Sequence, residues 1–348
     1  MVTRFLKTLD SLSSRMILAS AGLGLAMVLT GCGSSSSGST QPSTSLTFST
    51  GGSMPQGIGV DAKGNAWVAN ESSNTVTEIS PTGAILLTVT VGSAPHGIKI
   101  NRTAGQLSSD QIWVENTGSS NVTVLSASGK VLNTYTTGPT DTQPQHAVFD
   151  SQGNAWVTNQ AANNVVQISP NGNILTTVAL SANTNPHAIA EDSSDNLWVA
   201  GYGSGTVTKI SSSGNIVGTF VVGQKLTGNA IDLVGNLWQS VSASAQVAEL
   251  SPTGVPLGTF TVGSTPRGVT IDRAGQGQVF VANQGTNNVT ELSPSGTVVA
   301  TFAVGSQPEN MAIDEQGNLW VTNAGSNTVT VLLHVAPPDL SGDDSSDG

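Results

Sequence analysis

Pro55-Gln-Gly-Ile-Gly-Val-Asp61, Gly64-Asn65-Ala-Trp67-Val-Ala-Asn70, Asn74-Thr-Val76-Thr-Glu-Ile79, Ser80-Pro81-Thr-Gly83 and Ala84-Ile-Leu-Leu-Thr-Val-Thr-Val91-Gly92 make up one unit of this chain. Its apolar stretches are short, β-branched or alternating. Each is fenced by Asp-x-x-Gly-Asn or Ser-Pro-x-Gly, which are turn signals. The unit therefore reads as four short antiparallel strands joined by hairpins. Its aromatic recurs as Trp67, Trp113, Trp156, Trp198, Trp238, Phe280 and Trp320, at steps of 46, 43, 42, 40, 42 and 40 residues. A valine follows nine positions after each (Val76, Val122, Val165, Val207, Val247, Val289, Val329). A period of this size means one supersecondary unit copied seven times.

The seventh copy breaks at Ala336 and lacks a fourth strand. At the other end, Leu46-Thr-Phe48-Ser-Thr-Gly51 precedes Pro55 as Thr301-Phe302-Ala-Val-Gly305 precedes Pro308. The expected fold is all-β: a seven-bladed β-propeller of four-stranded antiparallel blades over residues 45–336. The N-terminal strand closes the last blade, and radial repetition leaves few open sheet edges. The repeated aromatics are expected to fill the gaps between blades. The aspartates ending each first strand (Asp61, Asp150, Asp192, Asp232, Asp272, Asp314) are expected to accept turn N–H groups.

The flanks have a different composition. Arg4, Lys7 and Arg15 precede an apolar run over residues 16–28, the pattern of a secretory leader. Leu29-Thr-Gly-Cys32 follows and resembles the lipobox of bacterial lipoproteins. The resemblance implies a signal peptide over residues 1–31 and lipidation of Cys32, the only cysteine of the chain. Residues 32–44 are a Gly/Ser-rich tether, and residues 337–348 read as an acidic disordered tail. The expected location is the bacterial cell envelope, with the domain lipid-anchored and facing the periplasm or exterior. Gly33, where an aspartate would mark inner-membrane retention, favours the outer membrane.

Residues 32–348 carry 8 basic and 21 acidic side chains, a net charge of −13, with the basic residues scattered. Nucleic-acid binding is excluded, since it needs a basic footprint. Charged residues make up only 9% of the chain, and the abundance of Ser, Thr, Asn and Gly fits an exported, turn-rich β protein.

Two rings of variable residues are expected at one face of the disc. The position after the repeat proline gives Gln56, His96, Gln145, His187, Thr227, Arg267 and Glu309. The end of the second strand gives Asn70, Asn116, Asn159, Gly201, Val241, Asn283 and Asn323, followed by Glu71, Gln160, Tyr202 and Gln284. The predicted ligand-binding set is Gln56, His96, Gln145, His187, Arg267, Glu309, Asn159, Gln160 and Tyr202. His187, His146 and His96 are the catalytic candidates: imidazoles in neighbouring blades suit metal binding or acid–base work, or hydrogen bonding in a wet channel. Residue types and spacing alone assign no metal.

The repeat resembles the NHL repeat and, more closely, the virginiamycin B lyase-like propellers. The likeness lies in Pro-x-Gly-Ile-x-Val-Asp, Gly317-Asn-Leu-Trp-Val-Thr-Asn323, Asn-x-Val and Ser-Pro-x-Gly, and spans essentially residues 45–336. The resemblance implies a lyase that opens a cyclic depsipeptide by elimination across its ester, with Mg2+, glutamates and histidines at the channel mouth. His187 after Pro186 and His96 after Pro95 match the histidine position. Asn185, Ala94, Gly201 and Asn116 stand where carboxylates are expected. The functional expectation is therefore a binding or scaffold module for a glycan, peptide or protein at the channel mouth. The alternative is a metal-assisted lyase or lactone hydrolase.

Overall fold

The structure, a computed structural model, describes residues 45–102 and 110–333. The leader, Cys32, the tether and the acidic tail lie outside the described residues. Seven four-stranded antiparallel sheets follow one another along the chain. The first strand of each blade packs beside the first strand of the next, and the last returns to the first, so these strands line a central channel. Closure occurs as expected. Ser45–Ser49 pairs with Thr328–Leu332 in the register Leu46↔Val331, Phe48↔Val329, supplying the outer strand of blade 7.

The core is built between blades. Trp156, Val148 and Val165 of blade 3 pack with Ile189, Leu197 and Val199 of blade 4. Trp320 and Val329 do the same against Ile58 and Val68 across the ring closure. All six tryptophans and Phe280 are at most 1% exposed, so each blade buries its largest side chain against a neighbour.

A buried indole needs a partner for its N–H, and the preceding turn provides one. Trp67, Trp156, Trp198, Trp238 and Trp320 donate to Asp61, Asp150, Asp192, Asp232 and Asp314 at 2.9–3.2 Å. The other carboxylate oxygen accepts turn amides, as Asp61 does from Lys63 and Asn65, both at 2.9 Å. Blade 2 has no such aspartate, and Trp113 donates to Gln111 instead (3.3 Å).

The opposite ends of the blades are shaped by two local distortions. Every first strand carries a β-bulge just after its start; in blade 3, Pro144 pairs with Asn159 but Ala147 with Val157, leaving an extra residue in between. Bulges re-aim side chains. The residue before each bulge (Met54, Ala94, Gln143, Asn185, Lys225, Thr265, Gln307) is left-handed, with φ of 47–56°. Non-glycine residues seldom adopt this conformation, so the surroundings must hold it. Here the previous blade does so. Asn74, Asn163, Asn287 and Asn327 accept the N–H of Ala94, Asn185, Gln307 and Met54 at 2.8–2.9 Å.

Trp238→Phe is expected to destabilise the fold by about 1–3 kcal/mol, the cost of removing the indole donor from Asp232. Urea unfolding followed by intrinsic fluorescence of the remaining tryptophans checks this. An unchanged midpoint would show that the indole bond does not hold the turn.

Candidate functional site

The bulged strand starts and the residues just past the second strands enclose one cavity of about 400 Å3 at the channel mouth. It is lined by eight of the predicted binding and catalytic residues, Gln56, His96, Gln145, His146, Gln160, His187, Arg267 and Glu309, and by Glu71, Thr227 and Gln284 of the two rings. The left-handed residues organise its rim. Their carbonyls accept the N–H of Glu71, Gln160 and Gln284 at 2.9–3.0 Å, which sets these side chains over the opening.

The expected asparagine ring is corrected by the structure. Asn159 is fully buried and does not line the cavity. Its amide donates to Asn164 (2.9 Å) and to the Thr137 carbonyl (3.0 Å). Asn70, Asn116, Asn283 and Asn323 are likewise buried and bonded to threonines of the third strand at 2.9–3.0 Å. Side chains alternate along a strand, so a residue at the channel end of the second strand points sideways between blades. The next residue, outside the pleat, reaches the opening. Tyr202 also lies off the cavity wall, with its ring 6.2 Å from that of His187.

Three imidazoles converge on one side of the cavity. His96, His146 and His187 come from blades 2, 3 and 4, with ring centroids 5.1, 5.5 and 5.2 Å apart. His146 occupies the second bulge position, where other blades have Gly57, Gly97, Ala188, Gly228, Gly268 or Asn310. The bulge turns it toward the channel beside its two neighbours. Burial pushes His96 down to about 4, with a hydrogen bond to the Gln145 backbone pulling upward and Arg267 adding a smaller depression. Burial, then the charge of His96, takes His146 down to about 3. His187 falls well below the usual imidazole range for the same reasons, burial first. All three are therefore neutral at physiological pH, as nitrogen donors must be.

The other side carries charge. Arg267 Nε lies 3.5 Å from Glu309, and Arg267 also donates to Gln284 (3.2 Å), which in turn donates to Glu309. Burial raises the Glu309 carboxyl, opposed by Arg267 and Gln284. Glu71 is raised as well, by burial, with a hydrogen bond from Gln56 opposing. The cavity thus faces neutral bases on blades 2–4 and a guanidinium–carboxyl pair on blades 6 and 7.

Glu115 has no counterpart in the sequence-based site. It stands two residues after Trp113, fully buried, with neither carboxyl oxygen hydrogen-bonded. A Cβ on Gly97, next to His96, would fall 2.5 Å from its Oε2, so the carboxyl fills the space that glycine leaves. At the same repeat position in blade 3, Thr158 donates to the His187 carbonyl at 2.7 Å and to that of His146 at 3.2 Å. Burial pushes Glu115 up to about 8. The available signal was a glutamate where other blades have Ala69, Thr158, Ala200, Ser240, Ala282 and Thr322.

A sequence model of the virginiamycin B lyase family matches residues 89–336. Virginiamycin B lyase from Staphylococcus aureus superimposes with a TM-score of 0.73 at 16% identity, covering 82% of this chain and 98% of that one. A catalytically inactive histidine-to-alanine variant of the same enzyme with quinupristin gives 0.73 at 18% identity, over 82% and 98%. Hydrazine synthase of Kuenenia stuttgartiensis gives 0.71 at 16% identity, over 81% and 96%. At these identities the solved structures share the fold. No curated protein matches the chain.

The residues at the mouth do not fit magnesium. That ion takes oxygen ligands in octahedral array. The clustered donors here are imidazole nitrogens, while Glu309 is engaged by Arg267 and Gln284, and Glu71 by Gln56.

Glu115 also imposes a pH dependence on stability. Its carboxyl is raised from about 4.5 in an ordinary setting to about 8 in the fold, so the folded protein holds a proton that the unfolded chain releases. Its contribution is complete below about pH 4.5 and lost as pH rises through about 8, at a slope of up to about 1.4 kcal/mol per pH unit. Urea unfolding at a series of pH values should show Glu115→Gln lacking this slope. Parallel wild-type and variant curves would mean that the carboxyl is already ionised.

Proposed function

The chain belongs to the virginiamycin B lyase family, and from that premise we propose that it is a C–O lyase of the bacterial cell envelope, held at a membrane through Cys32. Its substrate is a small, polar, ester-bearing molecule seated in the channel mouth. The observation that carries the reading is the meeting of one guanidinium, two carboxyls of raised pKa and three neutral imidazoles on a single cavity. Perturbed titratable groups gathered in a cleft are the pattern of chemistry rather than of passive contact.

The elimination takes a proton from a carbon next to a carbonyl. Its electron pair forms a new double bond, and the C–O bond one carbon further breaks to release a carboxylate. Negative charge builds first on the carbonyl oxygen and then on the leaving group, so a fixed cation beside the substrate is the first requirement. Arg267 supplies it, aimed by Glu309 and Gln284. A base is the second requirement. The histidines are too weakly basic for this work at neutral pH, since proton transfer is most effective when the base pKa lies near the working pH. Glu71, lifted by burial and restrained by one amide, is the better matched base.

The second reading, a binding module for a glycan or peptide, draws on the five glutamines that line the same cavity: Gln56, Gln145, Gln160, Gln284 and Gln307. One experiment separates the two. The full-length protein is incubated with cyclic depsipeptides and lactones, and the products are followed by liquid chromatography and mass spectrometry. Elimination opens the ring to an isomer of unchanged mass; hydrolysis adds one water. The lyase reading expects the isomer, with Arg267→Ala and Glu71→Gln each lowering kcat/KM by about 100-fold. Retention of the ring compounds without turnover would favour the binding module and overturn the lyase.

A further inference from the structure

We propose that His96, His146 and His187 form a binding site for a divalent transition-metal ion of the zinc class, with a coordination position open to the channel-mouth cavity. Each residue offers a ring nitrogen, and these atoms all lie within 4.8 Å of one another. Zinc bonds imidazole nitrogen at about 2.0–2.1 Å, so tetrahedral donors stand roughly 3.4 Å apart. The nitrogens must therefore close by about an ångström or more to complete the set. Three protein nitrogens and an open fourth position are the arrangement of catalytic rather than structural zinc. Donor type excludes magnesium and calcium, which take oxygen, and selects zinc, nickel or copper.

Two further observations support a site built to hold something. The Nδ1 atoms of His96 and His187 are buried and have no hydrogen-bond partner. Leaving buried polar atoms without partners is costly, and a bound cation, with the reorientation it brings, removes that cost. The backbone holding the rings is also fixed from outside. Thr158 bonds the carbonyls of His146 and His187, and His96 is hydrogen-bonded to the Gln145 backbone. The carboxyl of Glu115 lies under Gly97, beside His96, and fills the space behind that strand.

The alternative is three neutral rings packed edge to face or tilted in an ordinary wet channel. Against it stands His146, a large ring at a repeat position that elsewhere holds glycine, alanine or asparagine. Removing it returns the blade to the pattern of its neighbours, so His146→Ala is expected to fold.

The test uses full-length protein stripped with a chelator and dialysed against Zn2+ or Mg2+, with bound metal measured by mass spectrometry and affinity by calorimetry. One zinc per chain and no magnesium are expected. His146→Ala should weaken zinc by more than the roughly 10–100-fold typical of a lost outer-layer partner. Co2+ in place of zinc should give the visible absorption of a four-coordinate site, and that absorption should disappear in His146→Ala. Absence of zinc from the wild type, or equal zinc affinity in a folded His146→Ala, overturns the site. Because no readout is turnover, failure here leaves the lyase reading to its own test.

Discussion

The bond from the repeated tryptophan to the aspartate six residues before it is the constraint on which this propeller rests. A propeller blade must bury a large apolar group against its neighbour, because no single blade has a core of its own. An indole does this best by size, yet it brings an N–H that has to be satisfied in a dry gap. The aspartate accepts that N–H with one oxygen and ties down the tight turn with the other. One side chain thus joins the packing between blades to the register of the hairpin within a blade. Blade 2 keeps the tryptophan without the aspartate, and Gln111 takes over the acceptor role.

Because that bond sits at one face of the disc, the other face is freed from holding the blade together. The strand starts there bulge, and the residues before them take left-handed conformations, four of which the previous blade clamps through asparagine side chains. The result is a mouth whose backbone is alike in all blades and whose side chains vary one by one. This is how radial repetition yields an asymmetric site. The scaffold cost is the same everywhere, and only the projecting residues differ.

Fold and site were legible to different depths for the same reason. The spacing of the tryptophans, Val76 and its counterparts, and the turn glycines reports distances along the chain, which fix blade number, strand count and closure. The first ring of mouth residues, Gln56 through Glu309, was readable because the proline marks the strand start directly. The asparagine ring was misread because strand ends share a location but not a direction, and Asn159 turns between blades. The convergence of His146 with His96 and His187 depends on a bulge, and bulges leave no spacing signal when every blade has one. Glu115 was hidden for a related reason. Its importance comes from Gly97 in the adjacent strand, and sequence order does not show what lies behind a missing Cβ.

The electrostatics of the mouth follow from its division. The chain beyond residue 31 is strongly acidic, and at the mouth Arg267 is matched by Glu309 while the imidazoles carry no charge. Three rings about 5 Å apart in a buried setting cannot share positive charge, and Arg267 makes protonation harder still. Their neutrality is thus a property of the cluster rather than of any one histidine. A cluster of neutral nitrogens beside a neutralised guanidinium repels neither anions nor neutral molecules on entry. A substrate of the proposed lyase, which develops negative charge after binding, would let Arg267 shift its attraction from Glu309 to the new anion. A permanently anionic ligand would have to break the Arg267–Glu309 pair at once, and a cationic one would meet Arg267. A neutral, carbonyl-rich guest of the kind the proposed lyase would take meets neither obstacle.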